Sequence, residues 1–170
     1  MIEASRARCS PRTTWPVPCN ATGMLARPTA LVERILGAVI NVHRALGPGL
    51  LESAYEECTA VELVAQGIDF RRQVPVPLIY RGARIPCSYR ADFVVHDEIL
   101  LELKSVERLL PIHQAQVLTY LKLLNLPQGI ILNFNTGRLT DGIRNVLLPT
   151  PQARVEQAAR TAKDVDVEMK

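Results

Sequence analysis

The sequence predicts a mixed α/β fold, α+β-like in its segregation of elements, with a mixed β-sheet core flanked by helices. Three observations carry that expectation. Two helix-period apolar stripes open the chain's ordered part, strand-like segments follow them, and a strand–helix–strand passage closes the set.

The first stripe, Leu31, Ile35, Val39, Val42 and Leu46, predicts a helix over Thr29–Leu46, with Leu36 and Ala38 widening the apolar face. Gly47-Pro48-Gly49 stops it. A second helix is expected from Leu50 to Gln66, ending at Gly67, with a core face of Leu51, Ala54, Cys58, Val61 and Ala65. Glu52, Tyr55, Glu56 and Thr59 share a neighbouring face at three- and four-residue steps. From Ile68 to Tyr80 the pattern alternates, but Pro75 and Pro77 cannot donate to a ladder, so an edge strand or an irregular one is expected. Tyr80-Arg81-Gly82-Ala83 reads as a turn into a strand over Arg84–Tyr89 that continues toward Asp92.

Tyr89–Val95 and Ile99–Lys104 flank the polar trio His96-Asp97-Glu98 and predict a β-hairpin. A turn centred on Asp97 sets Asp92 opposite Glu102, with Lys104 next on the same face and Phe93, Leu101 and Leu103 on the other. Pro111 suits the first turn of a helix over Ile112–Leu124, which Asn125 and Pro127 end. Its stripe is Val117, Leu118, Leu121 and Leu124, while His113, Gln116 and Tyr120 occupy another face. Gly129–Phe134 is a buried strand, interrupted by Asn133. Joined to Ile99–Val106 through the helix, it predicts a parallel crossover. Ile143–Leu148 is a short final element of undetermined type.

At 170 residues the chain fits one domain with a core of its own. Residues 1–28 hold Pro11, Pro16, Pro18 and Pro28, basic Arg6, Arg8, Arg12 and Arg27, and no periodicity. They read as a disordered leader, or as sequence upstream of a true start at Met24. Residues 29–148 form the domain, and residues 149–170 a polar tail. The net charge of +3 is compatible with a polyanionic partner without demanding one. Cys9, Cys19, Cys58 and Cys87 lack zinc-like spacing, which points to a reducing, cytoplasmic setting. No apolar run nears the ~20 residues of a membrane span, so no membrane partner is expected.

The charged hairpin face carries the candidate chemistry. Phosphodiester hydrolysis uses a hard cation that neutralises developing charge and acidifies water, and Mg²⁺ takes oxygen ligands. Asp92 and Glu102 supply two such ligands, the Leu103 carbonyl a third, and Lys104 a compact cation for the nucleophile or a phosphate oxygen. The plain alternative is a same-face Glu102–Lys104 ion pair on an ordinary strand. Glu52, Tyr55, Arg90, His113 and Gln116 each have an equally plain reading alone: an exposed helix acid, a packing tyrosine, a strand arginine, solvated helix polars.

Together they resemble a known family. Gly49-Leu50-Leu51-Glu52-Ser53-Ala54-Tyr55 is the motif that names the GxxExxY proteins, which belong to the PD-(D/E)XK nuclease superfamily. Val42–Gly49 before it and Arg71–Val76 after it are similar to that family. Tyr89-Arg90-Ala91-Asp92, Glu102-Leu103-Lys104, His113–Gln116 and Leu132-Asn133-Phe134 follow in the family's order, so the resemblance spans Leu31–Leu148. It implies a restriction-endonuclease-like fold, Mg²⁺ or Mn²⁺ as cofactor, and nucleic acid, chiefly DNA, as substrate. By position it implies metal ligation by Asp92 and Glu102, helped by Glu52. It further implies Lys104 as catalytic lysine and Gln116 as a recurrent catalytic glutamine; Tyr55, Arg90 and His113 are expected as substrate contacts from their place beside these residues alone. Ala91 stands where the superfamily name has proline, Gln114 replaces an expected glutamate and Leu126 an expected glycine. None of these removes an implied ligand. Two other readings keep the fold without turnover: a nucleic-acid-binding or interaction module, and a structural adaptor with a protein partner or a homo-oligomeric one.

Overall fold

In the computed structural model, which describes residues 30–86 and 89–148, two helices come first: α1, Ala30–Leu46, and α2, Glu52–Ala65. The expected leader and tail, and Cys9, Cys19 and Cys87, lie outside the described residues. Then come β1 (Phe70–Pro75), β2 (Leu78–Tyr80), β3 (Ala83–Ile85), β4 (Arg90–Val95) and β5 (Ile99–Lys104). Helix α3 (Pro111–Leu124), β6 (Gln128–Asn133), a 3-10 turn (Leu139–Gly142) and β7 (Ile143–Leu147) complete the order. The final element, left open by the sequence, is therefore a strand.

Five strands make one mixed sheet in the order β1-β4-β5-β6-β7, and β2 and β3 form a separate two-stranded sheet. The β5/β6 pair is parallel and every other pair antiparallel. A parallel neighbour requires the chain to cross over, and α3 is that crossover. The strand-like run expected over Ile68–Tyr80 is split: β1, ending at Pro75, is an edge of the large sheet as expected, and β2 belongs to the small one. The strand expected to run unbroken from Arg84 toward Asp92 is instead divided. β3 pairs only with β2, and β4 begins at Arg90.

The sheet is buried on both faces. On one, Ile35 and Val39 of α1 and Tyr55 and Leu63 of α2 meet Phe93, Leu101, Leu103, Leu132 and Phe134. On the other, Val117 and Leu121 of α3 meet Val94, Leu100 and Ile131. Gly129 permits the close approach of α3, because a Cβ there would lie 2.5 Å from Val117 Cγ1.

Helix α2 packs in a different phase from the one its apolar residues predict. Tyr55, Thr59, Ala60 and Leu63 are buried, whereas Leu51 is 77% and Val61 70% exposed. Apolar side chains surround this helix, so its period leaves the buried face ambiguous. Tertiary contacts decide it: Tyr55 stacks on Phe134 with ring centroids 4.3 Å apart, and its hydroxyl donates to the Gly47 carbonyl at 2.7 Å.

The β4–β5 hairpin has the expected register, with Phe93 opposite Leu101, Val94 opposite Leu100 and Val95 opposite Ile99. Its turn holds His96 at φ 52° and Asp97 at φ 56°, the left-handed pair that a type I′ turn uses.

Candidate active site

The regular pairing of β4 with β5 ends at Phe93 and Leu101. One residue further, the Asp92 carboxylate replaces a main-chain partner: its Oδ2 accepts the Leu103 N–H at 2.8 Å. Glu102 lies on β5 with 3% exposure, unusual for a carboxylate. Its Oε1 accepts from Lys104 Nζ at 2.7 Å, while Oε2 is buried without a hydrogen-bond partner among the described residues. The strand's two-residue period puts both side chains on the α3 face, beside Asp92.

Burial dominates the electrostatics here. Loss of solvent, then the charge of Asp92, pushes the Glu102 carboxyl up to about 7, against the pull of Lys104. Asp92 is also raised by burial, more than the Leu103 N–H and Lys104 lower it. For Lys104, burial acts downward, yet the carboxylates, led by Glu102, outweigh it and raise the ammonium. Burial thus favours the protonated form of both carboxyls, and Lys104 opposes it only in part.

Glu52 opens α2 and approaches from the opposite helical layer. Its Oε1 accepts the Ser105 N–H at 3.0 Å, and Ser105 Oγ donates to the Leu50 carbonyl at 2.7 Å. These bonds tie the start of α2 to the chain just past Lys104. Glu52 contributes to raising both Asp92 and Glu102. Among the described residues, however, no three His, Cys, Asp or Glu side chains stand close enough to hold one ion. Asp92, Glu102 and Glu52 are therefore not gathered into one three-acid cluster, and Glu52 accepts from Ser105 instead. A cleft of about 630 Å³ adjoins this carboxylate, lined by Gly49–Ser53, Ser105 and Asn135.

The other expected residues divide. Gln116, half-buried on α3, donates from Nε2 to the Tyr120 hydroxyl at 2.9 Å. Tyr120 senses the charged cluster: burial raises its phenol, Gln116 opposes this, and Glu102 raises it further. Arg90 is exposed at the start of β4, two residues before Asp92. His113 accepts the Leu110 N–H on Nδ1 at 3.1 Å and so caps α3. Tyr55 takes the packing role that was the plain alternative to a substrate contact. It is fully buried, and its hydroxyl also accepts the Leu50 N–H at 3.1 Å, leaving its ring no accessible surface.

Two residues join the site without having been singled out for it. Tyr120 lay on the Gln116 face, and its four-residue spacing from Gln116 was the available signal. Asn133, 2% exposed, accepts the Val106 N–H at 3.0 Å and donates to the Val106 carbonyl at 2.8 Å. Opposite Lys104 in the parallel ladder, it fixes the backbone that leaves β5. A polar residue inside an apolar strand was its signal.

The family model of the PD-(D/E)XK nuclease superfamily matches residues 29–146. This chain belongs to that superfamily. The PD-(D/E)XK match takes in α1 through most of β7 and includes every residue of the charged cluster. The five-stranded mixed sheet with helices on both faces is consistent with a restriction-endonuclease-like fold. No curated protein matches the chain. A solved structure titled "Crystal structure of SSO0001" aligns with a TM-score of 0.39 and 18% identity, covering 77% of this chain and 74% of that one.

Membership makes the function nuclease-like, and nucleases of this superfamily generally use divalent metal ions. Among the described residues no helix is long and apolar enough to cross a membrane.

Proposed function

We propose that this PD-(D/E)XK chain is a divalent-metal-dependent nuclease of the GxxExxY branch that hydrolyses phosphodiester bonds in DNA. The observation that supports it most directly is the buried Glu102, whose Oε2 lacks a donor while Asp92 and Lys104 stand beside it. A buried anionic oxygen without a partner is expensive. A hard cation relieves that cost, and two neighbouring carboxylates are the donor set Mg²⁺ or Mn²⁺ prefers.

Asp92 and Glu102 are the residues that would hold the ion, with Glu52 assisting after release from Ser105. When bound, such an ion neutralises charge on the phosphate and lowers the pKa of water. The chain's own groups do the rest. Lys104, held by Glu102, presents a fixed cation to the nucleophile or to a phosphate oxygen. Gln116, hydrogen-bonded to Tyr120, orients the attacking water with its free amide oxygen. Arg90 meets a substrate phosphate, and the outer nitrogen of His113 a second polar group. Tyr55 braces the Gly47–Leu50 turn that delivers Glu52. The working domain in this reading is residues 29–148. Its location is the cytoplasm, for which the scattered cysteines are the support.

Cleavage of linear, circular and single-stranded DNA with Mg²⁺ or Mn²⁺ tests this, using the intact chain beside Asp92→Ala and Lys104→Ala. Metal-dependent cleavage by the intact chain alone is expected. No cleavage with any divalent ion, or equal cleavage by the variants, sinks it. A second reading, a nucleic-acid-binding module without turnover, draws on the Glu52 carboxylate's engagement with Ser105. It predicts salt-sensitive DNA retention with no metal titration at Asp92 and Glu102.

A further inference from the structure

The β2–β3 hairpin has no role in the site, and its composition is distinctive. Residues 78–90 contain Arg81, Arg84 and Arg90, two of the chain's four tyrosines, and no Asp or Glu. None of these arginines is ion-paired among the described residues, whereas Arg71 pairs with Asp97, and Arg72 with Glu56 and Glu57. Arg81 lies over the Tyr80 ring, 5.6 Å from its centroid. Ile79 is 65% and Tyr80 62% exposed, and no hairpin side chain belongs to either core cluster. Two three-residue strands alone bury too little to be stable without support.

Position gives the hairpin meaning. Pro75 pairs with Arg90, and the Val76 N–H donates to the Tyr89 carbonyl at 2.9 Å. The hairpin therefore springs from the end of the β1/β4 ladder that carries Asp92, not from the end carrying the Asp97 turn. At its base the Tyr89 ring lies 6.3 Å from that of Tyr120, the neighbour of the charged cluster. Unpaired arginines with an exposed aromatic are the combination that holds single strands, through phosphate contacts and base stacking.

We infer that the β2–β3 hairpin is a nucleic-acid arm that grips an unpaired strand beside the catalytic cluster, with Arg81 and Arg84 on its phosphates and Tyr80 under a base. This rests on the nuclease reading for its substrate class. It explains how a chain of small net charge holds a polyanion. The hairpin supplies a local cluster of arginines with no acid among its own residues.

The test is fluorescence anisotropy of the full chain with a labelled single-stranded oligonucleotide in EDTA, across a range of salt. Arg81→Ala/Arg84→Ala is expected to weaken binding at least about tenfold and to flatten the log K against log salt slope by roughly 1.4. Arg81→Lys/Arg84→Lys keeps the slope, and Tyr80→Ala weakens binding without changing it. Matching thermal unfolding of all variants keeps a folding defect from imitating these results. Unchanged affinity and slope in the double alanine variant, or no binding of the strand by the intact chain, overturns the arm. Hydrolysis of bis(p-nitrophenyl) phosphate with Mn²⁺ by the intact chain, a substrate too short to span site and hairpin, reports the nuclease reading separately.

Discussion

Lys104 Nζ donates to Glu102 Oε1 at 2.7 Å, while the other oxygen of the same carboxylate is buried with no partner among the described residues. The pair is thus half of a site: one oxygen fixes the lysine and the second is left for another cation. Lys104→Ala removes the fixed cation and leaves Glu102 unpaired. Activity on DNA should fall by about 10²–10³-fold, the range for losing a preorganised charge-stabilising group. Lys104→Arg, bulkier and with a different hydrogen-bond fork, should recover little of it. Cleavage assays at saturating metal measure both. Retention of more than a tenth of the activity by Lys104→Ala would remove the lysine from the mechanism.

Stability without metal should fall as pH rises. The folded Glu102 carboxyl is pushed up to about 7 by burial and by Asp92, from an ordinary value of 4.5. An acid raised in the fold leaves stability intact below its unfolded value. That stability is then lost as pH climbs to the folded value. The window is therefore pH 4.5–7, and the loss is roughly 3 kcal/mol. Urea unfolding in EDTA at several pH values measures it. Glu102→Gln should flatten the profile, and a wild-type profile that rises through this window would contradict the burial argument.

A divalent ion should reverse that loss. Binding demands the ionised carboxylates, so Mn²⁺ affinity should increase with pH up to about 7 and then level. At a hundredfold excess over the dissociation constant, stabilisation is about 2.7 kcal/mol. Thermal unfolding with and without Mn²⁺ reads this directly. Asp92→Asn and Glu102→Gln should each abolish the shift, whereas Glu52→Gln should only weaken it, because Glu52 is tied to Ser105.

Much of this was legible in the sequence, for identifiable reasons. The hairpin register follows from a short polar turn between two apolar runs, and a two-residue period leaves little freedom once the turn is centred. That sufficed to bring Asp92 and Glu102 to one end of one strand pair. The phase of α2 was not legible, because Leu51, Val61, Leu63 and Val64 surround the helix. The long-range Tyr55–Phe134 stack chose the buried face. The hydrogen bond from Ser105 to Glu52 joins positions far apart in sequence, which no local pattern announces. Tyr120 was visible as a face neighbour of Gln116 but not as a group that feels the charge of Glu102, since that depends on how α3 lies across the sheet. The isolation of β2–β3 from the main sheet was equally hidden. Which strands pair is decided by tertiary contacts, not by the local pattern of Leu78–Tyr80 or Ala83–Ile85.

The motif's tyrosine offers a way to separate support from chemistry. Tyr55 hydroxyl donates to the Gly47 carbonyl and accepts the Leu50 N–H, closing the turn whose next residues carry Glu52. Tyr55→Phe keeps the ring stacked on Phe134 but leaves both main-chain groups without that partner. Stability should drop by about 0.5–1.5 kcal/mol, the net worth of a hydrogen bond whose main-chain partners water can still reach. Glu52 would be less well placed, so cleavage should fall with weaker Mn²⁺ dependence, yet strand binding in EDTA should be unchanged because the ring is fully buried. Urea unfolding, metal titration of activity and anisotropy on one preparation give the three readings. Weakened strand binding in a folded Tyr55→Phe would instead restore the tyrosine to the substrate surface.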